Sequence, residues 1–327
     1  MKFALLFLIP FFLFTSCKKD PTKSETTILT EYMAQNNLDL TDILSGWITA
    51  GPKINIDTSN FAAPDYYIID LRSSTDFDAG HIKDAHNTAL ANIIEEADKA
   101  NGKKILVICY TGQTAARGTS ALRILGYDAV SLKWGMSGWH EDFAGKWNAN
   151  AKDLNHANWV TSGSPKALSH YDLPKIATNN KEGSSILKAR VQKMLENASW
   201  TIKNDVLLDN PSNYFINNKW AQDSWDAYGH IKDINRIDED LLLEGIRHLD
   251  ASKTIVTYCY TGQTSAITNG WLEVLGYDCK SLLFGANGIV YTTVKNGKPQ
   301  KSWKGAGSAS ENNFGYYNSN GDYTPPK

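Results

Sequence analysis

The hexapeptide Cys109-Tyr110-Thr111-Gly112-Gln113-Thr114 occurs again 150 positions further on, as Cys259-Tyr260-Thr261-Gly262-Gln263-Thr264. Each copy follows a short apolar run, Lys104-Ile-Leu-Val-Ile108 in the first and Thr254-Ile-Val-Thr-Tyr258 in the second. Such runs suit buried parallel strands. After Thr114 the pattern turns helical, with Leu122, Leu125 and the stop signal Gly126. Working outward, Leu125-Gly126-Tyr127-Asp128 returns as Leu275-Gly276-Tyr277-Asp278, and Gly80-His81-Ile82-Lys83-Asp84 as Gly229-His230-Ile231-Lys232-Asp233. Trp159-x-x-Ser162-Gly163-Ser164 aligns with Trp303-x-x-Ala306-Gly307-Ser308. The kept order and spacing point to duplication of a whole domain.

Strands alternating with helices predict an α/β fold: two domains, each a parallel sheet flanked by helices. The expected boundaries are 31–160 and 186–327, joined by a linker over 161–185. Tyr66-Tyr-Ile-Ile-Asp70 reads as a strand ending in a carboxylate, and Val206-Leu-Leu-Asp209 is its expected counterpart. On that alignment Asn210-Pro211 replaces Leu71-Arg72, and about ten extra residues precede Gly229. Residues 304–327, rich in Gly, Ser, Asn and Tyr, are expected to be a shortened copy of the segment closing the first module.

With 327 residues and a net charge of −2, the chain has room for two domains and no basic cluster suited to nucleic acid. The apolar run Phe3–Phe14 is shorter than the roughly 20 residues a spanning helix needs. It leads into Thr15-Ser16-Cys17 and then Lys18-Lys19-Asp20, which resembles a bacterial lipobox. The resemblance implies a signal over 1–17, lipidation of Cys17 and anchoring in the cell envelope. By the same resemblance, Lys18 rather than Asp after the cysteine implies the outer membrane of a Gram-negative bacterium. Residues 18–30 read as a flexible tether.

Cys109, Cys259 and Cys279 remain, too few for a disulfide scaffold. A cysteine between a strand and a helix meets the unpaired N–H groups of the first helical turn. Those donors lower a thiol pKa, commonly to about 3.5–7.5, and so stabilise a thiolate or persulfide. Gly112 and Gly262 let the backbone curl around the sulfur, while Thr111, Thr114, Thr261 and Thr264 offer hydroxyls. Cys279, whose counterpart is Ala129, lacks such a loop and reads as core. His81 and His230 are expected to fix turns rather than to pair with the cysteines. The remaining histidines lack metal-site spacing, so no metal is expected.

Ile69-Asp70-Leu71-Arg72, Phe77-x-x-Gly80-His81-Ile82, Cys109-x-x-Gly112-x-Thr114, Leu125-Gly126-Tyr127 and Gly135-Met136-x-x-Trp139, taken in order, resemble a rhodanese domain. The resemblance covers about residues 60–140 and again about 200–290. It implies a cysteine persulfide that transfers sulfane sulfur, with no separate cofactor. Cys109 and Cys259 would be the nucleophiles, and residues 110–114 and 260–264, including Tyr110, Gln113, Tyr260 and Gln263, the cradles. Asp70, Arg72, Arg117 and Asp209 would be supporting polar residues. Small sulfur compounds such as thiosulfate or 3-mercaptopyruvate would be donors, and cyanide or a thiol the acceptor. A non-enzymatic persulfide carrier or sulfur-sensing protein is the alternative. Phosphatase-like chemistry is disfavoured, because Ala115 and Ser265 stand where an arginine would close an oxyanion cradle. The second module lacks counterparts of Arg117 (Ile267) and Trp139 (Ile289), so the first is the better candidate for full activity.

Overall fold

The run ahead of Cys109 forms a strand because its β-branched residues are buried on both faces, as a sheet covered on each side requires. In the computed structural model, which describes residues 23–297, 301–305 and 313–327, it is the central strand of a five-stranded sheet. The first module's strands are β1 (Ile48–Thr49), β2 (Tyr66–Asp70), β3 (Ala85–Asn87), β4 (Lys104–Ile108) and β5 (Ala129–Leu132). They lie in the order β1-β5-β4-β2-β3, all parallel.

The chain continues through β6 (Trp159–Val160), β7 (Thr201–Ile202), β8 (Phe215–Asn218), β9 (His230–Ile231), β10 (Asn235–Arg236), β11 (Ile255–Tyr258) and β12 (Cys279–Leu282). The second sheet, β10-β8-β11-β12-β7, is also all parallel and repeats the first strand for strand. The expected fold, two α/β sheets flanked by helices, is the one observed. Cys279 begins β12 and is wholly buried, as expected of core.

Four helices join the modules: α1 (Glu25–Gln35), α2 (Gln113–Ile124), α3 (Gly183–Glu196) and α4 (Gln263–Val274). Helices α2 and α4 start at the two cysteine loops and pack against each other through small residues. A Cβ on Gly270 would lie 2.8 Å from Ser120 Oγ, and that hydroxyl donates to the Ile267 carbonyl at 3.0 Å. One apolar core therefore runs from Leu29 and Ile69 through Ala115 and Ala116 to Trp271 and Cys279. Among the described residues no helix is long and apolar enough to cross a membrane.

Three expectations are corrected. Helix α1, capped by Ser24, occupies most of the described part of the expected tether, and Glu25 accepts backbone N–H bonds from Thr178 and Asn179. Its apolar residues Leu29 and Met33 are buried, which a free tether would not permit. Val206-Leu-Leu-Asp209 is part of a helix, Asn204–Asp209, not a strand. Short apolar runs suit either element, and here only Leu207 and Leu208 turn inward while Val206 stays exposed.

The third correction concerns the closing segments, which cross over. Strand β6 follows the first module but pairs antiparallel with β9 of the second, Trp159 opposite Ile231. Reciprocally, Tyr317, in β13 (Tyr316–Tyr317), exchanges both backbone bonds with His81 of the first module, at 2.7 and 2.9 Å. The counterpart of Trp159-Val160 is thus Tyr316-Tyr317 and not the segment around Trp303. Each trailing segment also accepts an indole N–H from the module it joins: Trp225 Nε1 donates to Gly163 O and Trp139 Nε1 to Gly315 O, both at 2.9 Å. Residues 313–327 therefore complete the first module, although they follow the second.

Candidate active site

Cys109 leaves the C-terminal edge of β4, where parallel sheets present their ligands. Gly112 takes φ +85°, a left-handed conformation open to glycine, and caps α2. This curl aims the Gly112 and Ala115 N–H groups at Cys109 Sγ, at 3.1 and 3.3 Å. Cys259 repeats the arrangement, with Gly262 at φ +77° and Ser265 N–H donating to Sγ at 3.4 Å. The Cys259 thiol also faces Ser265 Oγ at 3.7 Å, and that hydroxyl bonds Ser281 Oγ at 2.7 Å. The residue six positions after each cysteine, Ala115 or Ser265, is thus a sulfur ligand that the reading of the hexapeptide overlooked. The general signal was available, since it is simply the first helical turn.

The expected drop in thiol pKa is overturned at Cys109. The thiol is only 2% exposed, and burial pushes it above the ordinary range. The N–H groups of Ala115, Thr111 and Gly112 pull it down, and the Asp70 carboxylate pushes it up again. The helix start stabilises the anion, but losing water costs more.

Asp70 stands opposite Ile108, the residue before Cys109, and Arg72 pairs with it. Arg72 Nη2 lies 2.7 Å from Asp70 Oδ2 and donates to Gly80 O at 2.6 Å, both side chains being buried. The guanidinium is consumed by these bonds and lies over the Phe143 ring at 5.3 Å. It braces the turn before β3 rather than facing a donor.

Arg117 and Asp209 are not at a site. Arg117 is wholly buried between the modules, with Nη1 2.7 Å and Nη2 3.0 Å from the two Glu273 carboxylate oxygens. It lies one helical turn inside α2, and that face meets α4 instead of the loop. Asp209 ends its helix at the surface beside His156 Nε2, 3.2 Å away. Strand register shows the true counterparts: Asp70 faces Ile108 and Asn218 faces Tyr258, the residues just before the two cysteines. Asn218 therefore replaces Asp70, and Trp220 replaces Arg72. From Asn218 to Gly229 the spacing is one residue longer than from Asp70 to Gly80, so the expected insertion is absent.

The other loop residues divide. Tyr110 turns its hydroxyl to Asp76 and to Ser73 Oγ, and the Lys146 ammonium lies 3.2 Å from its ring centroid. Tyr260 bonds Ser224 Oγ at 2.7 Å, and burial pushes its phenol up to about 12. Thr111 and Thr261 hydroxyls accept from the Gln113 and Gln263 amides of their own loops, at 3.1 and 3.3 Å. Thr114 and Thr264 are half-buried in the first helical turns. Trp147, which the sequence reading missed, donates to Thr111 O at 3.2 Å. It belongs to a cluster with Trp134, Phe284 and Trp303 beside both loops. His81 bonds Phe77 O at 2.8 Å and stacks on Phe77, while His230 bonds Ile231 O and stacks on Trp225. Both rings serve local turns.

The family model described as "Rhodanese-like domain" matches residues 56–142, the stretch holding β2 to β5 and Cys109. A curated relative, thiosulfate sulfurtransferase GlpE of Shewanella oneidensis, is 37% identical over 78 residues, 23% of this chain and 75% of the relative. The chain belongs to the rhodanese family. Similar solved structures include a rhodanese-related protein from Thermoplasma volcanium, 26% identical over 24% of this chain and 80% of that one, TM-score 0.23. Another is the 3-mercaptopyruvate sulfotransferase SseA from Escherichia coli, 17% identical over 74% of this chain and 98% of that one, TM-score 0.27. The matched residues of the rhodanese family model are those of the first module, where the buried Asp70–Arg72 pair stands.

Proposed function

We propose that the protein is a sulfurtransferase that carries sulfane sulfur as a persulfide on Cys109, with Cys259 as a second acceptor site. The observation that carries this reading is the pair of N–H groups, from Gly112 and Ala115, converging on Cys109 Sγ at a helix start. They stabilise the sulfur anion in each state of the cycle. With thiosulfate, the donor named for the Shewanella relative, the Cys109 thiolate attacks the outer sulfur. The donor S–S bond breaks, sulfite leaves with the electron pair, and a cysteine persulfide forms. Cyanide or a thiolate then attacks the terminal sulfur, takes it, and returns the thiolate. 3-Mercaptopyruvate is the other donor class that the reading admits.

The test offers thiosulfate or 3-mercaptopyruvate with cyanide to the full chain and to its C109S and C259S variants. Thiocyanate release should fall at least a hundredfold in C109S and severalfold at most in C259S, the scale expected when a covalent nucleophile is removed. No turnover with either donor, together with a 32 Da gain on a cysteine, would replace the enzyme with a non-enzymatic persulfide carrier.

Cys17, outside the described residues, is proposed as a lipidated anchor in the cell envelope, at the outer membrane of a Gram-negative bacterium. The apolar run ending in Thr15-Ser16-Cys17 supports this. Membrane fractionation should find the protein bound and the C17A variant unanchored; a mature N-terminus elsewhere than residue 17 would reject the anchor.

A further inference from the structure

We infer that Gln263 is a positioning residue for Cys109 and Gln113 for Cys259, so that each module braces the other's nucleophile. The inference uses the proposed roles of the two cysteines but concerns how their loops are held. Gln263 Oε1 accepts the Trp134 N–H at 3.2 Å, and Gln113 Oε1 accepts the Phe284 N–H at 2.8 Å. Trp134 and Phe284 are matching residues, each forced to positive φ, +67° and +59°. Each opens the turn that supports a cysteine: Met136 N–H donates to Cys109 O at 2.8 Å, and Ala286 N–H to Cys259 O at 3.0 Å.

The two loops touch. A Cβ on Gly112 would lie 2.4 Å from Gln263 Oε1, and one on Gly262 would lie 2.3 Å from Gln113 Oε1. Gln113 and Gln263 are nearly fully buried. At its other end each amide donates to the threonine two residues before it. Both ends are thereby occupied away from the sulfur of the glutamine's own loop. The glutamines are a clasp across the pseudo-twofold, not part of their own cradles.

This also gives the second loop a physical reason to stay identical to the first although Asn218 and Trp220 have replaced the ion pair beneath it. Keeping Gln263 serves Cys109. The coupling it creates is mutual, because a shift of either supporting turn moves the amide that holds the other.

The test measures alkylation of each cysteine of the full chain by iodoacetamide across pH, resolved by peptide mass. Methionine matches glutamine in length and lacks the accepting oxygen. Gln263→Met should raise the pH midpoint at Cys109 by roughly half a unit and leave Cys259 nearly unmoved, the scale of one weakened hydrogen bond. Gln113→Met should do the reverse. A shift confined to the cysteine of the substituted loop, or equal shifts at both, or none, overturns the clasp. If Gln263→Met does not fold, Gln263→Asn, one methylene too short to reach Trp134, makes the same discrimination. Alkylation uses no sulfur donor, so its outcome is separate from whether the protein transfers sulfur.

Discussion

Exchanging Arg117 for alanine is expected to destabilise the protein by about 3–5 kcal/mol, the usual result of leaving one charge of a buried pair behind. Glu273 is almost fully buried and would lose both guanidinium bonds, keeping the Asn197 amide at 2.9 Å. Arg117 also donates to the Met194 carbonyl at the C-terminal end of α3 and lies over the Trp200 ring at 5.1 Å, so three segments of the second module lose a contact together. Urea unfolding followed by tryptophan fluorescence measures the change. The double variant R117M/E273M, which removes both charges and keeps apolar volume, should recover most of it. A loss in R117A below about 1 kcal/mol, or a double variant no better than the single, contradicts a buried pair. Because Arg117 stands away from the sulfur, the KM for an anionic donor should not change in R117M/E273M.

The second large effect is expected at Gly135. Its φ is +59°, and a Cβ there would lie 2.2 Å from Cys109 O and 2.8 Å from the Thr111 and Gly112 nitrogens. All three atoms are backbone, so none can swing aside. Gly135→Ala must push the whole Cys109 loop and misalign the N–H groups on its sulfur. Left-handed strain adds about 1–2 kcal/mol. Persulfide loading of Cys109, read by mass, should fall at least tenfold, the scale set by misplaced catalytic groups. Gly126→Ala is the control: its φ is +92°, with nothing within 4 Å of the added carbon, so it carries strain without collision. Equal loading in both variants would show that proximity to the loop is not what matters at Gly135.

Much of the architecture was readable in the chain because local chemistry determines it. Apolar runs of four or five residues ahead of each cysteine, rich in β-branched side chains, suit a covered parallel sheet, and a glycine three positions past the cysteine permits the left-handed turn that opens a helix. Those two facts place both thiols at strand ends against helical N–H groups. Where the reading went astray, the deciding interaction was remote. Val206-Leu-Leu-Asp209 has the composition of a strand, yet β8 lies further along and takes the place beside β11, so Asn218 rather than Asp209 stands below Cys259.

Electrostatics and long-range partners were decided by tertiary structure alone. A helix start should acidify a thiol, but the closed surroundings of Cys109 remove the water that would make the anion cheap, and the pKa moves up. Arg117, expected as a supporting polar residue of the Cys109 loop, is given to Glu273 by the close packing of α2 against α4. The repeated Cys-Tyr-Thr-Gly-Gln-Thr by itself determined two loops of one shape, because backbone conformation and N–H direction are local properties. That those loops face each other and exchange their glutamines, and that each module is closed by a segment trailing the other, depends on contacts between residues more than sixty positions apart, and only the packed pair of modules supplies them.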